Sequence, residues 1–246
     1  MSSVAARSAS PHSPPFPPSP PIKPILAAFN TWAFKRAQPS DPALLQTAVE
    51  QAASAGRPIQ FILYWGKGPR ETLAKPDEES LDYLASMVAR IEAAYTAGAT
   101  VELLLTDTHA RLNHHSDSAI DRYYGDIAAA AAARGFTSRR LSAVAADCPH
   151  SSGAEAISAV DPAVLDPLTH SAAKWYRGDG SARYGAIQYY AMNMSEKRAV
   201  EAAYPHAIFI TFNNSDFRVL FPDGLPIFYM YSLRKGFAVK PWFIDA

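Results

Sequence analysis

Apolar residues fall along this chain in two alternating styles. Short, nearly continuous runs, Ile59-Gln60-Phe61-Ile62-Leu63 and Val101-Glu102-Leu103-Leu104-Leu105, have the length and apolar content of buried strands. Before and between them apolar positions recur in steps of three and four, which keep one face of a helix inward. Leu44, Leu45, Ala48, Val49 and Ala52 follow that spacing, with Ser40 or Asp41 as cap, Pro42 in the first turn and Gly56 at the end. Leu81, Leu84, Val88, Ile91 and Tyr95 repeat it, opening at Pro76-Asp77 with Asp77 as cap and stopping at Gly98. An alanine-rich helix is expected over 121–135, closed by Gly135, and further helices over 162–176 and 184–204.

Four other segments read as strands: Leu141–Val144, Ala207–Phe212, Phe217–Phe221 and Ile227–Leu233. Asp223-Gly224 supplies turn chemistry between the last two, which would pair antiparallel. The β-α-β-α order predicts an α/β fold: a single Rossmann-like three-layer domain with a mostly parallel, mixed sheet and helices on both faces.

Composition narrows this picture. The chain has 246 residues, enough for one large α/β domain, and 48% of them are hydrophobic. Lys plus Arg equals Asp plus Glu at 23 each, so no overall field recruits nucleic acid or an anionic membrane, and anion binding has to be local. No apolar run reaches the ~18 residues of a membrane span, and the N-terminus lacks the apolar centre of a signal peptide. Residues 1–24, rich in Pro and Ser, are expected to be a disordered tail ahead of a catalytic domain over 25–246. Cys148 stands alone, which excludes an internal disulfide and agrees with a cytoplasmic location. Its neighbour His150 suggests a Cys–His nucleophile, but a bystander thiol is the simpler reading.

Candidate chemistry clusters after the two strong strands. Tyr64-Trp65-Gly66-Lys67-Gly68-Pro69-Arg70 leaves the first of them. Its glycines let backbone N–H groups turn toward an anion, and Lys67 and Arg70 add fixed charge. A solvated basic turn is the competing reading. Asp107 and His109 end the second strand and could share acid–base work, although a strand-end Asp also commonly caps the following loop. His114 and His115 fit no strong metal-ligand spacing, and no metal is expected. The loop Arg177–Tyr184 opens a helix and could hold a carboxylate at its N-terminus, or be an ordinary connection. No dinucleotide fingerprint or P-loop is present.

Taken in order, these segments resemble the isonitrile (isocyanide) synthases of the pyoverdine/dityrosine biosynthesis family. Pro58-Ile59 leads to Tyr64-Trp65-Gly66-Lys67 as the family's Pro-Ile strand leads to an aromatic-Pro-aromatic-Lys loop. Pro76-Asp77 with its Leu-rich helix, Tyr95, Gly98-Ala99, Thr106-Asp107-Thr108, Ser116-Asp117 and Tyr123-Tyr124 follow in the family's order. Met194, Arg198, Ala199, Tyr204-Pro205, Ile208–Thr211 and Pro241-Trp242-Phe243 extend the likeness to about residue 243. The family's Ser-Ile-His-Pro is Thr211-Phe212-Asn213-Asn214 here, its final His is Phe243, and the Gly after its strand-end Asp is Thr108.

The resemblance implies an enzyme of secondary metabolism that condenses the amine of an amino acid with ribulose 5-phosphate, without a cofactor. It implies small-molecule partners, an amino acid and a pentulose phosphate, and leaves room for a downstream oxygenase. Lys67 and Arg70 would hold the phosphate or activate the carbonyl, and Asp107 and His109 would move protons. Arg183 or Arg218 would meet the carboxylate, and Trp65, Tyr184 and Trp242 would wall the amino-acid pocket. The alternatives are a different amine-modifying enzyme on the same scaffold, or a non-catalytic binder of a phosphorylated or amino-acid metabolite.

Overall fold

The computed structural model describes residues 22–66, 68–147, 162–212 and 215–230, with no side-chain detail at 175 and 215–217. The expected tail therefore lies largely outside the described residues. Its last three positions, 22–24, instead form the first turn of helix α1, Ile22–Phe29, whose Ile25 and Phe29 are buried.

Five strands form one sheet in the order β3-β2-β1-β4-β5. They are β1 (Ile59–Trp65), β2 (Ala99–Leu105), β3 (Thr137–Arg140), β4 (Ile208–Thr211) and β5 (Ile227–Tyr229). Every neighbouring pair is parallel, with Tyr64 opposite Leu104 and Leu63 opposite Ile210. The sheet is thus not mixed. The expected strand at 217–221 is part of a 3-10 helix, Ser215–Leu220, so no hairpin partner for β5 exists there. Asp223-Gly224 turns the chain from that helix into β5, which pairs with β4 instead. Leu141–Val144 likewise belongs to helix α6, Leu141–Ala146, directly after β3. Its apolar residues Leu141 and Val144 are three apart, a helical interval that also fits a short strand.

The expected helices are present, some with shifted starts. Helix α2 is Pro42–Ser54, and the Asp41 carboxylate accepts from Leu44 N. Helix α3 runs Lys75–Ala94, so Asp77 is inside the first turn rather than at the cap; its carboxylate reaches back to Ala74 N at 3.1 Å. A short helix α4 (Asp107–Leu112) follows β2 at once, and α5 (Asp117–Ala132) begins four residues before the expected start, capped by Ser116. Helices α7 (Pro162–Trp175) and α8 (Ala182–Ala203) complete the set. Gly56 closes α2 with φ of 61°, whereas α3 already ends at Ala94 with Tyr95 as its cap. Gly98, with φ of 69°, turns the chain into β2; both are left-handed positions that residues with a Cβ resist.

Strand parity divides the core. Phe61, Leu63, Trp65, Val101, Leu103 and Leu105 point to the face covered by α1, α2, α3 and α5. Ile62, Leu104, Phe209, Ile227 and Tyr229 point the other way, against α6 and the C-terminal half of α8. A smaller cluster joins α7 to α8 through Leu165, Leu168, Ala186 and Tyr189. The chain lays down β1, β2 and β3 outward, then returns to place β4 on the other side of β1. Helix cover changes face at the same step. The carboxyl ends of β1 and β4 are consequently the topological switch point, where parallel α/β sheets take their ligands.

Candidate functional site

At that switch point the last two residues of β1 part company. Trp65 is buried toward α5, where Tyr123 lies between it and the fully buried Asp77; the Tyr123 hydroxyl donates to the Asp77 carboxylate at 3.2 Å. Burial and the Asp77 charge push the Tyr123 hydroxyl pKa up, so the phenol keeps its proton. Arg70, half-buried, acts electrostatically on this same Tyr123. Tyr64 points to the opposite face, its ring edge-on to Phe209 at 4.8 Å.

Beside Tyr64 is His109, on α4, with ring centroids 6.4 Å apart. The His109 Nε2 is 2.8 Å from Glu196 Oε2, both side chains being 3% exposed. The other oxygen of Glu196 accepts from the Thr108 hydroxyl. The imidazole also meets the Tyr189 ring at 5.1 Å between centroids, and Asn193 donates to the backbone carbonyl of Tyr189 at 2.9 Å. Two polar atoms in this cluster, Tyr64 Oη and His109 Nδ1, are buried without a hydrogen-bond partner among the described residues. Leaving such atoms unpaired costs about 1–3 kcal/mol each, so their placement calls for a reason. Burial, and then the Glu196 charge, push the Tyr64 hydroxyl pKa well up, so Tyr64 is a neutral donor. The cluster combines a carboxylate, an imidazole with one free nitrogen and a protonated phenol in a dry setting. Proton transfer needs these components.

The sequence-derived candidates separate on this geometry. His109 is in the cluster. Asp107 is adjacent in sequence but faces α6, accepting from Ser142 N at 3.0 Å, from the Ser142 hydroxyl and from Arg111 Nη1 at 2.7 Å. Burial raises its carboxyl pKa, but the Ser142 and Arg111 bonds outweigh that and hold it below the usual range. Asp107 therefore ties α4 to α6 as a carboxylate. Arg218 donates to Phe221 O, Pro222 O and Asp223, binding the turn before β5. Arg183 and Tyr184 are exposed at the start of α8, Arg183 lying 3.9 Å from the exposed Asp166. Trp65 packs on the sheet face opposite His109. Lys67, Cys148, His150, Trp242 and Phe243 lie outside the described residues.

Glu196 and Asn193 were not singled out by sequence, though a signal exists. The inward stripe of α8 runs Ala186, Tyr189, Asn193, Glu196, Val200, in steps of three and four, and all five are buried. Asn and Glu at core positions of an otherwise apolar stripe mark buried polar chemistry. A separate shallow hollow lined by Arg57, Gln60, Thr100 and His206 sits at the amino-terminal end of β1 and β2. It contains none of the predicted residues and lies at the end of the sheet opposite the switch point. Among the described residues no group of three His, Cys, Asp or Glu is arranged to hold a metal ion, and no helix is long and apolar enough to cross a membrane.

The fold is an α/β three-layer domain on a parallel sheet, with a buried polar cluster at its switch point. No protein-family model and no curated protein matches the sequence. Among solved structures the chain is similar to the PvcA protein from Pseudomonas aeruginosa, with a TM-score of 0.60 and 16% identity over 90% of this chain and 87% of that one. At that identity the likeness is one of fold.

Proposed function

We propose that this chain is an amine-modifying enzyme of the isonitrile synthase type, joining the amine of an amino acid to the ketone of ribulose 5-phosphate. The ordered motifs over residues 57–243 support this reading, and the PvcA-like fold supports it at the level of architecture. The observation that carries the reading is the pair of unpaired buried atoms, Tyr64 Oη and His109 Nδ1, beside Glu196 at the sheet's switch point. Condensation of an amine with a ketone needs a base for the nitrogen-bound protons and a donor for the developing oxygen charge. His109 and the neutral Tyr64 have those capacities. Lys67 and Arg70, on the loop that leaves β1, would supply the phosphate clamp.

The test is incubation of the full chain with a pool of amino acids and uniformly ¹³C-labelled ribulose 5-phosphate, read by mass spectrometry. An amino-acid-derived isonitrile one labelled carbon heavier is expected. Thermal stabilisation by either substrate with no labelled product would point to a metabolite binder instead.

A further inference from the structure

Glu196 has no assigned role, and its geometry gives it one. Its two oxygens are occupied by different donors, Thr108 Oγ1 on one and His109 Nε2 on the other, the latter at 2.8 Å. As a carboxylate Glu196 only accepts, which puts the hydrogen of this contact on the facing imidazole nitrogen. Thr108 blocks the alternative in which the carboxylate swings away. In a neutral ring, a hydrogen on Nε2 leaves the lone pair on Nδ1, and Nδ1 is the buried atom without a partner among the described residues. The Tyr189 and Tyr64 rings both meet the imidazole in T-shaped contacts, at 5.1 and 6.4 Å between centroids.

We infer that Glu196 is a positioning residue: it fixes His109 as the Nε2–H tautomer, so that Nδ1 is the base for the substrate amine. This rests on the reaction class proposed above. The amine nitrogen forms its bond to the ketone carbon while the carbonyl π pair moves to oxygen. An N–H bond then breaks, its electron pair stays on nitrogen, and the proton forms Nδ1–H. His109 returns that proton to the oxygen, giving a hydroxyl. The second N–H proton follows the same route, the hydroxyl leaves as water and C=N forms. Thr108 and Glu196 take no part in bond making; they set which nitrogen is free.

The tautomer is measurable without any substrate, so this inference can fail separately from the reaction. Long-range ¹H–¹⁵N correlation of the full chain reads each ring nitrogen of His109. A single Nε2–H form with a pyridine-like Nδ1 is expected, and a Glu196→Ala chain should show both tautomers and lose about 100-fold or more in turnover. A wild-type ring protonated on Nδ1, alone or on both nitrogens, would overturn the inference on the wild-type protein alone. So would an unchanged tautomer in a folded Glu196→Ala chain.

Discussion

Glu196 Oε2 and His109 Nε2 meet at 2.8 Å across 87 positions of sequence, joining helix α8 to the helix that follows β2. Both side chains are almost wholly buried, so the pair is costly to break from one side. His109→Phe leaves a buried carboxylate with Thr108 as its remaining partner and should cost about 3 kcal/mol or more. His109→Phe with Glu196→Leu should cost less than the sum of the two single changes. Urea unfolding of the four proteins in a double-mutant cycle checks this; additive losses would show that the two side chains do not interact.

Tyr64 is expected to behave oppositely in stability and function. Its hydroxyl is buried without a described partner, so Tyr64→Phe removes an unsatisfied group. Stability should be unchanged or rise by about 1 kcal/mol, while turnover falls. A chain both destabilised and fully active would show that the hydroxyl serves packing.

Asp107 gives the fold an acid sensitivity. Its folded carboxyl lies below the ordinary aspartate pKa of about 3.9. The stability it contributes is present above that unfolded value and is lost as pH falls through the folded one. At neutral pH Asp107→Asn should cost about 1–3 kcal/mol through the Ser142 and Arg111 bonds. The gap between the two proteins should narrow as pH drops below about 4, followed by chemical denaturation; a gap constant down to the acid limit would contradict the assignment.

Gly185 sits where α8 passes Tyr176. A Cβ there would lie 2.6 Å from the Tyr176 ring, too close for any side chain. Alanine normally favours a helix over glycine by about 1 kcal/mol, but here Gly185→Ala should lower stability by about 1–3 kcal/mol. Adding Tyr176→Ala should relieve part of the loss, measured by thermal and urea unfolding.

Much of this architecture was readable from the residues. The runs 59–63 and 101–105 are central parallel strands because both faces of the sheet are covered, which removes any need for alternation. The segment 217–221 misled because Phe217, Val219, Leu220 and Phe221 have strand-like composition, yet this short stretch coils tightly after β4. His109 was legible as a strand-end imidazole. Its true partner was not, because Glu196 is 87 positions away and only the fold brings it near. Asp107 looked equally chemical, and only its bonds to Ser142 and Arg111 show it as a tether between helices.

Turnover by the His109→Gln chain tests the central claim, that the buried cluster at the ends of β1 and β4 is where the amine reacts. Folded wild-type and His109→Gln proteins, matched by circular dichroism, are given amino acids and labelled ribulose 5-phosphate, and the labelled isonitrile is counted over time. The His109→Gln chain should be slower by about 100-fold or more. Equal rates from the two folded proteins would place the chemistry elsewhere.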